Sequence, residues 1–485
     1  MLKFQNKNMK KNNMKGLYGI VVLLLILTSC VGPKYVEPET NISESYHHYM
    51  RDTLVSNQDT IINLRWWNFI EEPSLDTLIK QALAHNKNVL MAASRIEQSR
   101  AISGMANADQ YPGFSLQAGA SKGSSGNFSN SSLSAGIGMS WELVFWGRYR
   151  AASEGARAEL LASEYGLRSI QMSLISNVAG YYALILDLKN RLDISEKTLS
   201  SRDSALIIIQ AKYDGGIIPQ IDLNQAQINY AIAAGAVPNY KRQLAITESS
   251  LAILIGGQPK EIITNQDKLD DMNLNIDIPY GIPSALLLRR PDILASKEMY
   301  HAKFKQINVA VAQRFPSISI TGMFGASSTA LASFTGSGMA WSAGANLLGP
   351  IFEFGKNKRR VDAARAQAKE ALYSYENTIN QSFKEVEDAL ISIQTLKLEM
   401  KAKQDEANAA MNAERLSKMR YDKGVTSYLE VLDNQRTSFN AQLGLSILKR
   451  QIIESYVGLY KALGGGWLSA EEEENAKNEN QENKE

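Results

Sequence analysis

From Arg148 to Asp214 the chain holds no proline, and Leu160, Leu167, Leu174, Tyr181 and Leu188 recur every seven residues. Leu372, Ile379, Val386, Ile393 and Met400 repeat that spacing further on. A seven-residue apolar period keeps one stripe of a helix against its neighbour along a left-handed seam. The pattern predicts two very long helices, each about 67 residues and roughly 100 Å at ~1.5 Å per residue. A Tyr-Asp-x-Gly turn ends each of them: Tyr213, Asp214 and Gly216 in the first, Tyr421, Asp422 and Gly424 in the second. Gly216 and Gly424 are expected in the left-handed conformation that closes helix C-termini. A shorter helix then returns, about Gln220–Ile255 and Ser427–Leu463. A further helical pattern covers roughly Leu75–Asp109 and Pro283–Arg314.

Between those helices the apolar period falls to two. In "SLSAGIGMSW" the residues Leu133, Ala135, Ile137, Met139 and Trp141 share one face, with Ser and Gly on the other. "AWSAGANL" repeats this with Trp341, Ala343, Ala345 and Leu347, and "GFSLQAGA" and "SISITGMF" alternate similarly. About ten alternating residues with an aromatic near one end describe a membrane β-strand. One such pair also fits a soluble hairpin; two pairs at equivalent places in an exported chain favour the membrane. Strands are expected near 113–122, 132–142, 317–326 and 339–348.

These equivalences are an internal duplication. Tyr213 and Tyr421, Trp146 and Phe354, and Gly256 and Gly464 each stand 208 residues apart, whereas "YPGFSL" at Tyr111 and "FPSISI" at Phe315 stand 204 apart. A repeat of about 180 residues decides architecture before other signals do. The helix before the strands plus the returning helix adds up to about one long helix, so two short helices stacked end to end can lie beside one long partner. That predicts a tall cylinder of helices with strands at one end and the twin turns at the other. Four strands cannot close a barrel, and an open sheet in lipid leaves backbone groups unpaired. The expected fold is mainly α with a membrane β-barrel: an internally duplicated α-barrel plus four strands per chain, twelve strands in a homotrimer.

Composition removes other classes. A net charge of +2 with 21% charged residues, and no basic patch with interleaved aromatics, gives no nucleic-acid footprint. One Cys precludes an internal disulfide, and His47, His48, His85 and His301 show no metal-ligand spacing, so neither metal nor cofactor is expected. The Cys is placed informatively. Lys3, Lys7, Lys10, Lys11 and Lys15 precede the apolar run "GIVVLLLIL" and then "LTSC", ending at Cys30. Length and charge are those of a signal peptide, and small residues before Cys30 match a bacterial lipobox, with Cys30 as the lipidation site. No second apolar run of membrane-helix length is read in the chain. A lipid-anchored surface enzyme such as a glycan hydrolase would need paired carboxylates in a pocket-forming domain, whereas this chain is mostly duplicated helix. A purely structural coiled-coil lipoprotein is at odds with the four alternating strands.

Several stretches resemble the TolC/OprM-like outer-membrane efflux channel family, in its lipoprotein branch. They are "CVGPKYVEP" (Cys30–Pro38), "WWNFIEEPSLDTLIKQALAHN" (Trp66–Asn86), "LLLRRPDI" (Leu286–Ile293) and "LYKALGGGW" (Leu459–Trp467). The resemblance runs in order from Cys30 to Trp467. Lys297 departs from it, standing where an acidic residue is common. The resemblance implies a trimeric passive exit duct for drugs and other small molecules, its barrel in the outer membrane and its α-helical tunnel in the periplasm. It implies a periplasmic adaptor and an inner-membrane pump of the resistance–nodulation–division class as partners. The alternative of a duct for secreted proteins fits the lipidated N-terminus less well. The implied organisation is a lipoprotein signal peptide at 1–29, an anchored and equatorial segment at 30–74, repeat 1 at 75–256, an equatorial linker at 257–282, repeat 2 at 283–466 and an acidic disordered tail at 467–485. By residue type alone, Leu429 packs in a helical seam and Asp433 is a solvated acid. The resemblance instead places Leu429 and Asp433 at a constriction of the periplasmic tip, where three carboxylates near an axis would repel and favour protonation or a bound cation. Asp222 and Arg436 are candidates for polar links that hold the tip closed.

Overall fold

The computed structural model describes residues 31–38, 72–125, 128–143, 145–259, 262, 289–328 and 339–465. Among the described residues seven helices and four strands follow in order: α1 (Pro73–His85), α2 (Lys87–Ala108), β1 (Gly113–Ser125), β2 (Phe128–Leu143), α3 (Arg148–Asp214), α4 (Gln220–Leu254), α5 (Pro291–Ala312), β3 (Ser317–Ser328), β4 (Met339–Leu348), α6 (Lys356–Asp422) and α7 (Tyr428–Ala462). The long helices α3 and α6 both have 67 residues, and α4 and α7 both have 35. Cys30, the signal peptide, most of the 257–282 linker and the acidic tail lie outside the described residues.

One predicted helix is two. The expected run over Leu75–Asp109 breaks at Asn86, whose backbone is extended at φ −61° and ψ 126°. Its Oδ1 accepts from the backbone N–H of Asn88 (2.9 Å) and Val89 (3.3 Å), capping α2, while its Nδ2 donates to the carbonyl of Leu254 (2.8 Å). An Asn that can satisfy a new helix start and a distant helix end at once favours a break over continuity. In the second repeat the corresponding helix starts at Pro291, a residue suited to a first helical turn; 283–288 lie outside the described residues.

The strands form one antiparallel sheet in the order β1-β2-β3-β4. Its register gathers Phe114, Leu116, Leu133, Ile137, Trp141, Ile318, Phe324, Trp341 and Leu347 on one face, because directly paired residues point the same way. Ser115, Gln117, Ser134, Ser140, Ser319, Thr321, Ser342 and Asn346 share the other. Phe114, Leu116, Ile137, Phe324, Trp341 and Leu347 are all exposed. Among the described residues no strand pairs with the outer edge of β1 or of β4.

The chain divides into two compact units, each drawing on both repeats. One takes Ser94–Glu164 and Ala295–Glu376 with the described N-terminal residues. It holds the sheet and a core of Ile307, Ala310, Val361, Ala364 and Ala368. Residues 31–38 lie on α5 there: Tyr35 stacks on His301 at 4.2 Å, and Lys297, the residue that departs from the family pattern, pairs with Glu37. The other unit takes the rest of the described chain, including most of α3 and α6, with a core around Leu75, Ile79, Val178, Tyr182, Ile185, Leu186 and Leu251. A stretch of α3 has mean hydropathy 1.2, enough by composition for a membrane span and missed in the sequence. Half of that stretch is buried, so it serves as core helix. Arg290, buried and from the Arg-Arg-Pro-Asp run, donates to Asp292 (2.7 Å), Glu385 (2.9 Å) and the Ala462 carbonyl (2.8 Å), which makes it a structural clamp on the end of α7.

Candidate functional site

Each Tyr-Asp-x-Gly turn is a paired-hydrogen-bond helix stop. The amide of Ile217 donates to the Lys212 carbonyl (2.9 Å) and that of Gly216 to the Tyr213 carbonyl (2.8 Å). Val425 to Arg420 (2.9 Å) and Gly424 to Tyr421 (2.9 Å) reproduce it. Gly216 and Gly424 sit at φ +68° and +72°, the left-handed conformation glycine adopts without steric cost. The extended residues Pro219 and Ser427, both at φ −75° and ψ 157°, then start α4 and α7.

Under the two turns lies a shared apolar cluster of Ile209, Leu223, Ala226, Tyr428, Val431 and Leu432, against which Tyr213 and Tyr421 pack. Tyr421 and Tyr428 lie with ring centroids 5.2 Å apart, and the Lys212 ammonium rests 4.5 Å from the Tyr421 ring centre. Burial pushes the Tyr428 phenol up to about 12, with Tyr421 and Asp222 adding to the shift. Asp214 is exposed and accepts from Gln210 Nε2 at 2.8 Å; Asp422 is also exposed.

Leu429, Asp433 and Arg436 lie on one exposed face of α7, while Val431, Leu432 and Gln435 face inward. Spacings of three and four residues bring side chains of one helix together, and Arg436 Nη2 meets Asp433 Oδ1 at 2.6 Å. Both partners are well exposed, so the pair is worth under ~1 kcal/mol. No ion pair joins Asp222 to Arg436 among the described residues; Asp222 sits half-buried in the first turn of α4. The first-copy counterparts of Leu429 and Asp433 are Ile221, which is exposed, and Gln225, which is half-buried.

Three polar groups on these helices went unnoticed in the sequence. Glu430, the counterpart of Asp222, accepts from Arg420 (2.8 Å) and from Thr426, bracing the second turn onto α7. The 208-residue offset pairs Asp222 with Glu430 and was the signal available for finding it. Arg202 is buried, donates to the Asn229 carbonyl (2.8 Å) and lies over Phe439 at 5.2 Å, but its Nε has no hydrogen-bond partner. Burial lowers its guanidinium below the usual value. Asp187, fully buried, accepts from Ser446 (2.6 Å), Arg450 (3.2 Å) and Arg191, tying α3 to α7. Neither is repeated: Ala410 and Thr395 stand 208 residues on.

The chain thus combines duplicated 67-residue helices, twin glycine turns and a four-stranded sheet with one exposed apolar face. The family model described as outer membrane efflux protein matches residues 78–257 and 282–465. The chain belongs to the outer membrane efflux protein family. Outer membrane protein OprJ of Pseudomonas aeruginosa is 32% identical over 468 residues, covering 93% of this chain and 97% of the relative. Cation efflux system protein CusC of Escherichia coli O6:H1 is 32% identical over 455 residues, covering 91% and 97%. The CmeC outer membrane channel of Campylobacter jejuni superposes with a TM-score of 0.82 at 26% identity, covering 93% of this chain and 98% of that one. The family expected from the sequence is thus the family found, and this outer membrane efflux protein shares the channels' helical fold with four strands.

Proposed function

We propose that three copies of this efflux protein close a twelve-stranded barrel in the outer membrane, forming a passive exit duct whose periplasmic helical tip is its gate. The sheet carries this reading. Its apolar face is exposed, its opposite face is polar, and among the described residues both outer edges keep unpaired backbone groups that hydrocarbon would not tolerate. Copies that complete one another's sheet remove both edges. The polar face is mostly uncharged Ser, Thr, Gln, Asn and Gly, which suits a passage for varied small molecules. No energy source is built into such a duct, so a periplasmic adaptor and an inner-membrane pump of the resistance–nodulation–division class supply the drive. Cys30 is the lipidated residue that tethers the N-terminus to the membrane.

At the tip, Leu429 supplies an apolar constriction and Asp433 a carboxylate ring, each carboxylate braced by its own Arg436. Asp222 contributes from the neighbouring turn. Native mass spectrometry of the detergent-extracted protein will give three chains per particle, and deletion of the gene will raise retention of an exported dye. Single-chain particles, or unchanged retention in a strain with no second duct, would overturn the reading.

A further inference from the structure

The two strand-to-helix turns balance their charges differently. In repeat 1, α3 opens with Arg148, Tyr149 and Arg150. Arg148 pairs with Glu142 (3.2 Å) and Arg150 with Glu154 (3.0 Å), while the Tyr149 hydroxyl donates to Glu142 at 2.8 Å. The residues 208 positions on are Lys356, Asn357 and Lys358, and the place of Glu142 is taken by Pro350. Ala151 and Ala152, next in repeat 1, correspond to Arg359 and Arg360. Repeat 2 thus lacks that acid and carries two more cations at the start of α6. The first turn of α6 holds no acid. Among the described residues no ion pair engages Lys356, Lys358, Arg359 or Arg360, and Arg360 donates only to Asn357 (2.8 Å). Cations at a helix start oppose its dipole, whose positive end already lies there. Such a cluster is balanced by an anion from outside the chain.

Its surroundings narrow down which anion. Between the two turns, inside the unit that holds the sheet, lies a cavity of about 520 Å³. That size falls within the ~300–1,000 Å³ of small-ligand sites. Arg148, Asn357 and Arg360 line it, and Trp146 stacked on Phe315 (4.8 Å) forms an aromatic wall. Lys356 stands one helical turn from Arg360, on the same face of α6. Glu142 and Glu353 line the cavity too. Glu142 is already held by Arg148 and Tyr149, which leaves Glu353 against an excess of cations. Leu143 also lines it and pairs with Ile318 on the sheet's apolar face. The cavity therefore lies where that apolar face ends. Just before α6, Ile351, Phe352 and Phe354 are all exposed. Aromatic rings beside basic residues suit the boundary between hydrocarbon and lipid headgroups.

We propose that this cavity holds the phosphate headgroup of an anionic phospholipid from the periplasmic leaflet, with Lys356 and Arg360 as its principal contacts. This rests on the outer-membrane duct reading and adds a lipid partner to it. An ammonium and a guanidinium one turn apart present several charged donors to phosphate oxygens. Lys358 and Arg359 add to the positive field around them. The Trp146–Phe315 pair offers apolar surface to the glycerol backbone, and from Leu143 the acyl chains continue along the sheet's apolar face.

Native mass spectrometry of the detergent-extracted full-length protein, with phosphatidylglycerol or phosphatidylcholine added, tests the site. Wild type is expected to retain phosphatidylglycerol several-fold more than phosphatidylcholine, and raising the ammonium acetate concentration should weaken that preference. Lys356→Gln with Arg360→Gln should abolish it, whereas the exchange of Lys356→Arg with Arg360→Lys should keep it. Lys401→Gln with Lys418→Gln removes two exposed cations farther along α6 and should leave it unchanged. An undiminished preference in the Lys356/Arg360 glutamine variant, or a preference in wild type that salt does not move, would overturn the site. Binding of inorganic phosphate to wild type with no preference between the two lipids would overturn the lipid as its occupant. Single-chain particles that keep the preference would uphold the site and overturn the shared barrel.

Discussion

Asp187 and Asp433 are both acids held by arginines, and their burial sets them apart. Asp187 has no exposed surface and meets Arg191, Arg450 and Ser446. Asp187→Asn leaves two guanidinium groups facing a neutral amide and should cost about 3–5 kcal/mol, read from thermal unfolding followed by circular dichroism in detergent. Asp433→Ala, at an exposed pair, should cost under ~1 kcal/mol in the same measurement. Arg202 makes the opposite case. Its guanidinium is buried with an orphan Nε, and replacing a poorly compensated buried charge by an apolar group of similar size is often neutral or stabilising. Arg202→Met should therefore change stability by no more than about 1 kcal/mol, despite its burial. Tyr428 adds a pH dependence. Its folded value of about 12 lies above the ordinary 10.0, so the fold favours the neutral phenol. That contribution is fully present below pH 10 and is lost as pH rises through 12. Tyr428→Phe should lose less stability than wild type across that window.

Helix ends show how alike the two copies are and where they diverge. Gly256 and Gly464 close α4 and α7 at the same φ of +78°, yet a Cβ on Gly256 would sit 2.3 Å from the His85 carbonyl oxygen, while one on Gly464 would meet Arg290 Cγ at 3.4 Å and its Cα at 3.7 Å. Gly216 and Gly424 have open space around them. Alanine at Gly216, Gly424 or Gly464 should cost about 1 kcal/mol for the left-handed backbone alone. Gly256→Ala should cost clearly more, since backbone must move; unfolding midpoints of the four variants will rank them. The long helices and the turns were legible in the sequence because heptads, missing prolines and obligatory glycines are local signals. The break at Asn86 was not, because the bond that rewards it goes to Leu254, 168 residues away. Arg202 was hidden for the same reason, as was Asp187 in part: apart from Arg191 on α3 itself, the partners of Asp187 lie on another helix.

At the scale of the molecule, the sheet's two faces were legible from a period of two, whereas the strand register was not, although the repeat offsets carry the register of one hairpin over to the other. The proposed gate rests on resemblance alone, since Leu429 and Asp433 look like ordinary surface residues on α7 and would gain a role only around an axis shared by several copies. The two turns have nearly the same backbone, so the proposed closure lies in side chains that differ between them. Single-channel conductance in a planar bilayer tests this most directly. Leu429→Ala with Asp433→Ala should conduct substantially more than wild type, whereas Ile221→Ala with Gln225→Ala, the matching change in the first copy, should change conductance less. Equal conductance in wild type and the Leu429/Asp433 variant, with the assembly intact, would contradict the account.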